Sequence, residues 1–386
     1  MKISQKKWSV KTGWESIRND NFDESQSHLV IVFGSREKLS DEGLFGEIKN
    51  IYPKAQIIIN STSGEIIDIQ VNENTLSLTA IEFAKTDIET HLINIKDFTN
   101  SKDAGKALAN KFNKKDLSSL LVISDGQLVN GSELVEGLEE IIGNKIPITG
   151  GLAGDGDKFE KTLVGLNASP EIGNIVALGF YGDYIKISHG CVGGWDSFGP
   201  ERMITSSKGN VLYELDGQPA LDIYKKYLGD YAKDLPGSGL LFPLSVRIRQ
   251  NEEPVVRTIL AVNENDKSVT FAGNVPEGCV GRLMKANFDR IIEGASSAAE
   301  FSNKINENPE LAILISCVGR KLVLNQRIEE EIEAVRDIFG KNTAITGFYS
   351  YGEISPISGF ERCELHNQTM TITTYSEKSD ENETIK

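Results

Sequence analysis

The chain has 386 residues, 39% hydrophobic and 25% charged, with 41 basic against 56 acidic side chains and a net charge of −15. Such a length suits two domains or one duplicated domain better than a single core. A surface this acidic argues against nucleic acid or anionic headgroups as partners, and no apolar run reaches the roughly 18 residues that a bilayer span requires. The amino terminus carries lysines without the apolar stretch of a signal peptide. Cys191, Cys279, Cys317 and Cys363 show no CxxC spacing, which fits a reducing cytoplasm rather than a disulfide framework or a zinc knuckle.

Met1 to Ser27 is polar apart from Trp8 and Trp14 and is expected to pack as an arm or helix. The apolar run Leu29 to Gly34 predicts a buried strand, followed by a helix from about Asp41 to Tyr52 that Pro53 stops. Gln56 to Asn60 is a second strand leading into the turn Ser61-Thr62-Ser63-Gly64-Glu65, and the alternating runs at 66–71, 75–83 and 91–95 read as antiparallel additions. A helix capped near Ser101 leads into the apolar strand at Ser119, and a helix over 132–142 ends at Gly143. Ile148-Thr149-Gly150-Gly151 then opens a turn holding Gly154 and Asp155, and strands follow at 162–167, 175–181 and 185–191.

Beyond the turn-rich segment 193–200, residues 210–217 read as a strand, 219–228 as a helix with proline in its first turn, and 244–272 as hairpins. A helix over 287–304 precedes the apolar strand Leu311 to Cys317, and Ile345-Thr346-Gly347 repeats the letters of residues 148–150. The strand–loop–helix–strand–glycine-turn order thus occurs three times, and crossover helices between apolar runs predict parallel pairing with ligands beyond the strands' carboxyl ends. The expected fold class is α/β, with two related halves, each a mixed β-sheet with crossover units, antiparallel hairpins and flanking helices. Residues 376–386 are polar and charged and are expected to be a disordered tail.

Candidate ligand-binding residues gather at the glycine turns: Thr62, Ser63, Gly64, Glu65, Gly150, Gly151, Asp155 and Glu353. None of the turns matches GxGxxG or GxxxxGK[ST], so a shared cleft is expected rather than a phosphate loop. An α-amino acid needs a cation for its carboxylate and an acid for its ammonium. Arg257, on an otherwise apolar strand, is the candidate cation, with a structural ion pair as the alternative; Glu65, Asp155 and Glu353 are the acids. Trp195, Tyr349 and Tyr351 could cover an apolar portion of the ligand, with His366 and Asn367 beside them. Cys317 at a strand end and His366 keep open a Cys-His enzyme acting on a small metabolite, against the commoner inert buried cysteine. The four histidines form no metal-ligand pair, so no metal is expected; His189 or His366 could serve as a single axial ligand should haem bind.

Several spaced stretches carry a family resemblance: STSGEI from Ser61, GGLAGDG from Gly150, HGCVGGWDSFGP from His189, NVLYELDGQPALDIYKKYLG from Asn210, VRTILAV from Val256, SCVGR from Ser316 and GFYSYGEISP from Gly347 running on to ELHNQTMTIT. In order and spacing the chain resembles the FIST sensory proteins, from about Leu29 to Tyr375. The resemblance implies an amino-terminal arm over 1–27, a FIST N-like domain over 28–217 and a FIST C-like domain over 218–375. It further implies an intracellular, non-enzymatic sensor of an amino acid or related metabolite, some relatives instead binding haem and responding to nitric oxide. No cofactor is required by the residues. Partners implied by the resemblance are a histidine kinase, a chemoreceptor or a cyclic-di-nucleotide enzyme.

Overall fold

The structure, a computed structural model, describes residues 1–249, 253–357 and 362–378. It is a mixed α/β architecture in two halves, with parallel and antiparallel strands sharing sheets and helices flanking them. Three of the sheets are built alike. In the first unit Leu29–Gly34 lies parallel to Gln56–Ser61 across the helix Leu44–Ile51. In the second, Leu117–Ser124 lies parallel to Ile148–Leu152 across Gly131–Ile142; in the third, Leu311–Cys317 lies parallel to Ala344–Ser350 across Val318–Leu324 and Ile328–Phe339.

Each unit is completed by an antiparallel return strand beside its first strand: Leu76–Glu82, Asn174–Tyr181 and Met370–Glu377. Each return strand in turn carries a lead strand from the start of its unit: Lys2–Ser9, Asp87–Asn94 and Ile185–Val192. The repeat is therefore threefold, and the third unit straddles the two halves.

The short strand after each glycine turn leaves its own sheet. Glu65–Ile67 of the first unit pairs with Ala344–Ser350 of the third, Gly352–Pro356 of the third pairs with Ile148–Leu152 of the second, and Val164–Leu166 of the second pairs with Gln56–Ser61 of the first. The inner faces of the three sheets meet in one core containing Ile31, Phe33, Leu121, Ile123, Ile313 and Phe348. Helices cover the outer faces, which is why the first strands read as unbroken apolar runs: both of their faces are buried.

Two segments differ from expectation. The amino terminus is a β-hairpin, Lys2–Ser9 with Gly13–Asn19, in which Trp8 sits opposite Trp14 and the buried Ile3 and Gln5 face inward. Its few apolar residues are cross-strand partners rather than one helical stripe. Residues 255–263 form two short strands, Val255–Arg257 and Ile259–Asn263, in different parts of a β-rich insertion with its own core around Leu212, Leu221, Leu244 and Phe271. Of the tail predicted over 376–386, Ser376 and Glu377 belong to the last strand, and residues from 379 onward lie outside the described residues.

Candidate functional site

The three glycine turns meet. Ser63 N–H donates to the Tyr349 carbonyl (2.8 Å) and Tyr349 N–H to that of Gly64 (2.9 Å); Gly154 N–H donates to Ser61 (3.1 Å), and Tyr351 N–H to Leu152 (3.1 Å). First turn bonds to third, second to first, and third to second, so the main chain closes a ring at the carboxyl ends of the strands. Close approach explains the glycines. A Cβ on Gly150, whose φ is +142°, would lie 1.8 Å from the Val122 carbonyl oxygen, and one on Gly154 would lie 2.3 Å from Ser63 Oγ. Gly151 is walled by Ile315 and the Gly352 carbonyl.

Two cavities flank this ring. One, of about 740 Å³, is polar and gathers the predicted residues Thr62, Ser63, Gly64, Glu65 and Asp155 with Arg36, Lys158 and Lys321. Arg36 Nη1 donates to the buried Asp155 (2.8 Å) and to Glu160 (2.9 Å), whose side chain is 65% exposed. Asp155 also accepts the backbone N–H groups of Glu160 (3.1 Å) and Lys161 (3.0 Å). Lys321 Nζ donates to the Ser63 carbonyl (2.6 Å) and to Glu73, 64% exposed. Both charge signs thus line one chamber, each cation sharing itself with an exposed rim carboxylate.

Arg36 and Lys321 were not singled out from the sequence. Each stands within four residues of the end of a unit's first strand, at Gly34 and Cys317, and the rule that ligands gather at strand ends could have found them.

The other cavity, of about 590 Å³, is largely apolar; Cys317 and Tyr351 line it with Leu128, Val318, Ile259 and Leu260. The remaining predicted residues lie on neither wall. Gly150 and Gly151 are buried within Ile148–Leu152. Trp195 Nε1 donates to the Gln368 carbonyl (2.8 Å), and Tyr349 donates its hydroxyl to Glu331 (2.6 Å). Arg257 is fully buried and donates to the carbonyls of Asn274 (2.9 Å) and Leu365 (2.7 Å) and to Glu364 (3.4 Å), which is the structural ion-pair alternative. Asn367 is fully buried with neither amide atom partnered within the chain.

Glu353 and Glu65 occupy equivalent nests. Each accepts from a hydroxyl three residues earlier, Ser350 (2.6 Å) or Thr62 (2.6 Å), and from the N–H and hydroxyl of the threonine preceding a return strand, Thr369 (3.2 and 2.9 Å) or Thr75 (3.3 and 2.7 Å). Burial outweighs those bonds and pushes Glu65 up to about 7 and Glu353 up to about 8. In the second unit the matching position is the apolar Val164.

Burial also pushes the Cys317 thiol far above its ordinary range and His366 down to about 4, the latter with Nε2 donating to the Ser355 carbonyl (3.1 Å). A protonated thiol and a neutral imidazole turned to a carbonyl are poor starting states for a thiolate pair. His189 is half-buried on the strand Ile185–Val192 and lines neither cavity. Among the described residues no three His, Cys, Asp or Glu gather to hold a metal ion, and no helix is long and apolar enough to cross a membrane.

An uncharacterized protein of Methanocaldococcus jannaschii, MJ1623, is 24% identical to this chain, the match covering 89% of this chain and 73% of the relative. Among solved structures, the chain is similar to the cyanuric acid hydrolase from A. caulinodans, at 8% identity and a TM-score of 0.35 over 93% of this chain and 92% of that one. The FIST N domain model matches residues 28–218 and the FIST C domain model residues 220–356, together covering most of the three units and the whole insertion but not the amino-terminal hairpin or the last two strands. The chain therefore belongs to the FIST family, whose domains are associated with sensory signal transduction.

Proposed function

We propose that the polar cavity is the sensory site and takes an amino acid or a closely related zwitterionic metabolite. The observation that carries this reading is the placement of Arg36 and Lys321 beside Asp155 and Glu65 in one chamber of about 740 Å³. A ligand carboxylate would replace the exposed Glu160 and Glu73 as partner of the two cations, because exposed ion pairs contribute only about 0–1 kcal/mol and release easily. Asp155, buried and held by backbone N–H groups, would stay in place and receive the ammonium group.

The chamber borrows walls from all three units, so an occupant bridges them. A coupling of about 1–3 kcal/mol between the ligand and a docking surface changes partner affinity roughly 5- to 150-fold, enough for a signal passed to a separate histidine kinase, chemoreceptor or cyclic-di-nucleotide enzyme in the cytoplasm.

A thermal-denaturation screen against single amino acids tests the reading. A true ligand at about 100 times its Kd stabilises by about 2.7 kcal/mol, and Lys321→Met should abolish most of that gain. If no amino acid raises the midpoint, or if the variant responds like the native chain, the assignment fails.

A further inference from the structure

The apolar cavity plays no part in that reading, yet it has the features of a built site. Its inner wall comes from the second and third units, through Leu152, Val318 and Tyr351, and its outer wall from the insertion. Among the described residues that line it, none carries a charge. Three of the chain's exposed large apolar side chains converge on it: Leu128, Phe159 and Leu260, at 49%, 41% and 44% exposure. Exposed apolar side chains scattered singly need no explanation, but a cluster around one cavity does.

The independent observation is Thr258. It is one of the residues lining the cavity, it is only 6% exposed, and its Oγ1 has no hydrogen-bond partner within the chain. A buried hydroxyl without a partner is unfavourable by about 1–3 kcal/mol, and a valine of the same shape would avoid it. Retaining a hydroxyl there makes sense when something inside the cavity completes it.

We propose that this cavity is a second ligand site, for an uncharged small molecule with a mainly apolar, ring-sized body and one hydrogen-bonding group that engages Thr258 Oγ1. The volume of about 590 Å³ lies within the usual range for small-molecule sites, roughly 300–1,000 Å³, and such sites pair apolar walls with a few placed polar groups. A charged ligand would lose its hydration and find no counter-charge on these walls. Tyr351 stacks on Phe159 (ring centroids 4.6 Å apart) and bonds to Asp155 of the polar cavity, so an occupant presses on the partition between the two chambers.

The test uses the full chain and the neutral fluorophore N-phenyl-1-naphthylamine. Saturable, one-to-one fluorescence enhancement is expected. Gly237→Leu fills the cavity from a position where a Cβ meets open space, and Leu260→Asp places a charge on the rim. Each should weaken binding roughly tenfold or more, whereas Lys11→Met, on the exposed loop of the amino-terminal hairpin, should bind as the native chain does. In competition, 1-naphthol should outdo naphthalene by roughly threefold to tenfold on the native chain, a preference that Thr258→Val removes while leaving the fold intact. Enhancement that never saturates, or that survives both cavity substitutions, marks adventitious surface binding and overturns the proposal. Equal competition by the two naphthalenes on the native chain removes the role given to Thr258.

Discussion

Tyr351 of the third unit donates its phenolic hydrogen to Asp155 of the second, and this contact forms the partition between the two cavities. Arg36 of the first unit reaches the same carboxylate, so all three units converge on one buried anion.

Tyr351→Phe should destabilise the chain by about 1.5–3 kcal/mol, the range for a hydrogen bond to a charged group. Asp155 would keep Arg36 and its two backbone donors, which limits the loss. Denaturant midpoints of the two proteins check this; coincident curves would contradict the geometry.

The stability contributed by Glu65 and Glu353 should fall as pH rises from about 5 to about 8, opposed below about 6.5 by His366, which burial holds down to about 4 and whose contribution rises with pH. Glu65 and Glu353 are raised by burial to about 7 and about 8, so in that window the folded chain holds protons that the unfolded chain has already released. Each group contributes a slope of up to about 1.4 kcal/mol per pH unit, and the loss is complete above its folded value. Glu353→Gln, a permanent mimic of the neutral acid, should flatten the profile; parallel native and variant profiles would show that Glu353 does not titrate as described.

Arg320 and Glu331 form a pair with no exposure on either side chain, joined at 2.8 and 3.1 Å. Glu331 also accepts from Tyr349 (2.6 Å), and Arg320 donates to the Ile291 carbonyl (2.6 Å). Arg320→Met or Glu331→Leu alone strands a buried charge and should cost about 3–5 kcal/mol, while the double substitution should cost clearly less than the sum. A double-mutant cycle measures the difference, and strict additivity would refute the pairing.

Gly150→Ala should prevent normal folding, with a penalty above about 4 kcal/mol, because the new methyl would meet backbone at 1.8 Å. Gly156→Ala offers the contrast: its φ is +79° but the space is open, so only about 1–2 kcal/mol of backbone strain applies. Circular-dichroism melts of the two variants should differ widely.

The apolar strands and the repeated Ile-Thr-Gly were legible because burial on both faces and backbone contact each dictate residue type locally. The exchange of short strands between sheets was not, since pairing partners 283 residues apart, such as Glu65 and Phe348, leave no local periodicity. The recurring glycine turns pointed to the polar cavity, but polar residues near a turn do not reveal which way they face. Arg257, Tyr349 and Glu353 resemble ligand groups in sequence, yet in the structure they hold internal partners. The apolar cavity was invisible because its far wall is an insertion held in place by contacts between residues far apart in sequence, such as Arg257 with Leu365 and Glu364.

The circulating short strands have a further consequence. A fragment ending near residue 218 would carry Glu65–Ile67 with only the short neighbour Gln70–Asn72 beside it and its partner in the third unit gone, and would leave the edge of Ile148–Leu152 bare where Gly352–Pro356 belongs. The junction between the two family models is therefore a seam in the text of the chain and not a line along which the molecule can be parted.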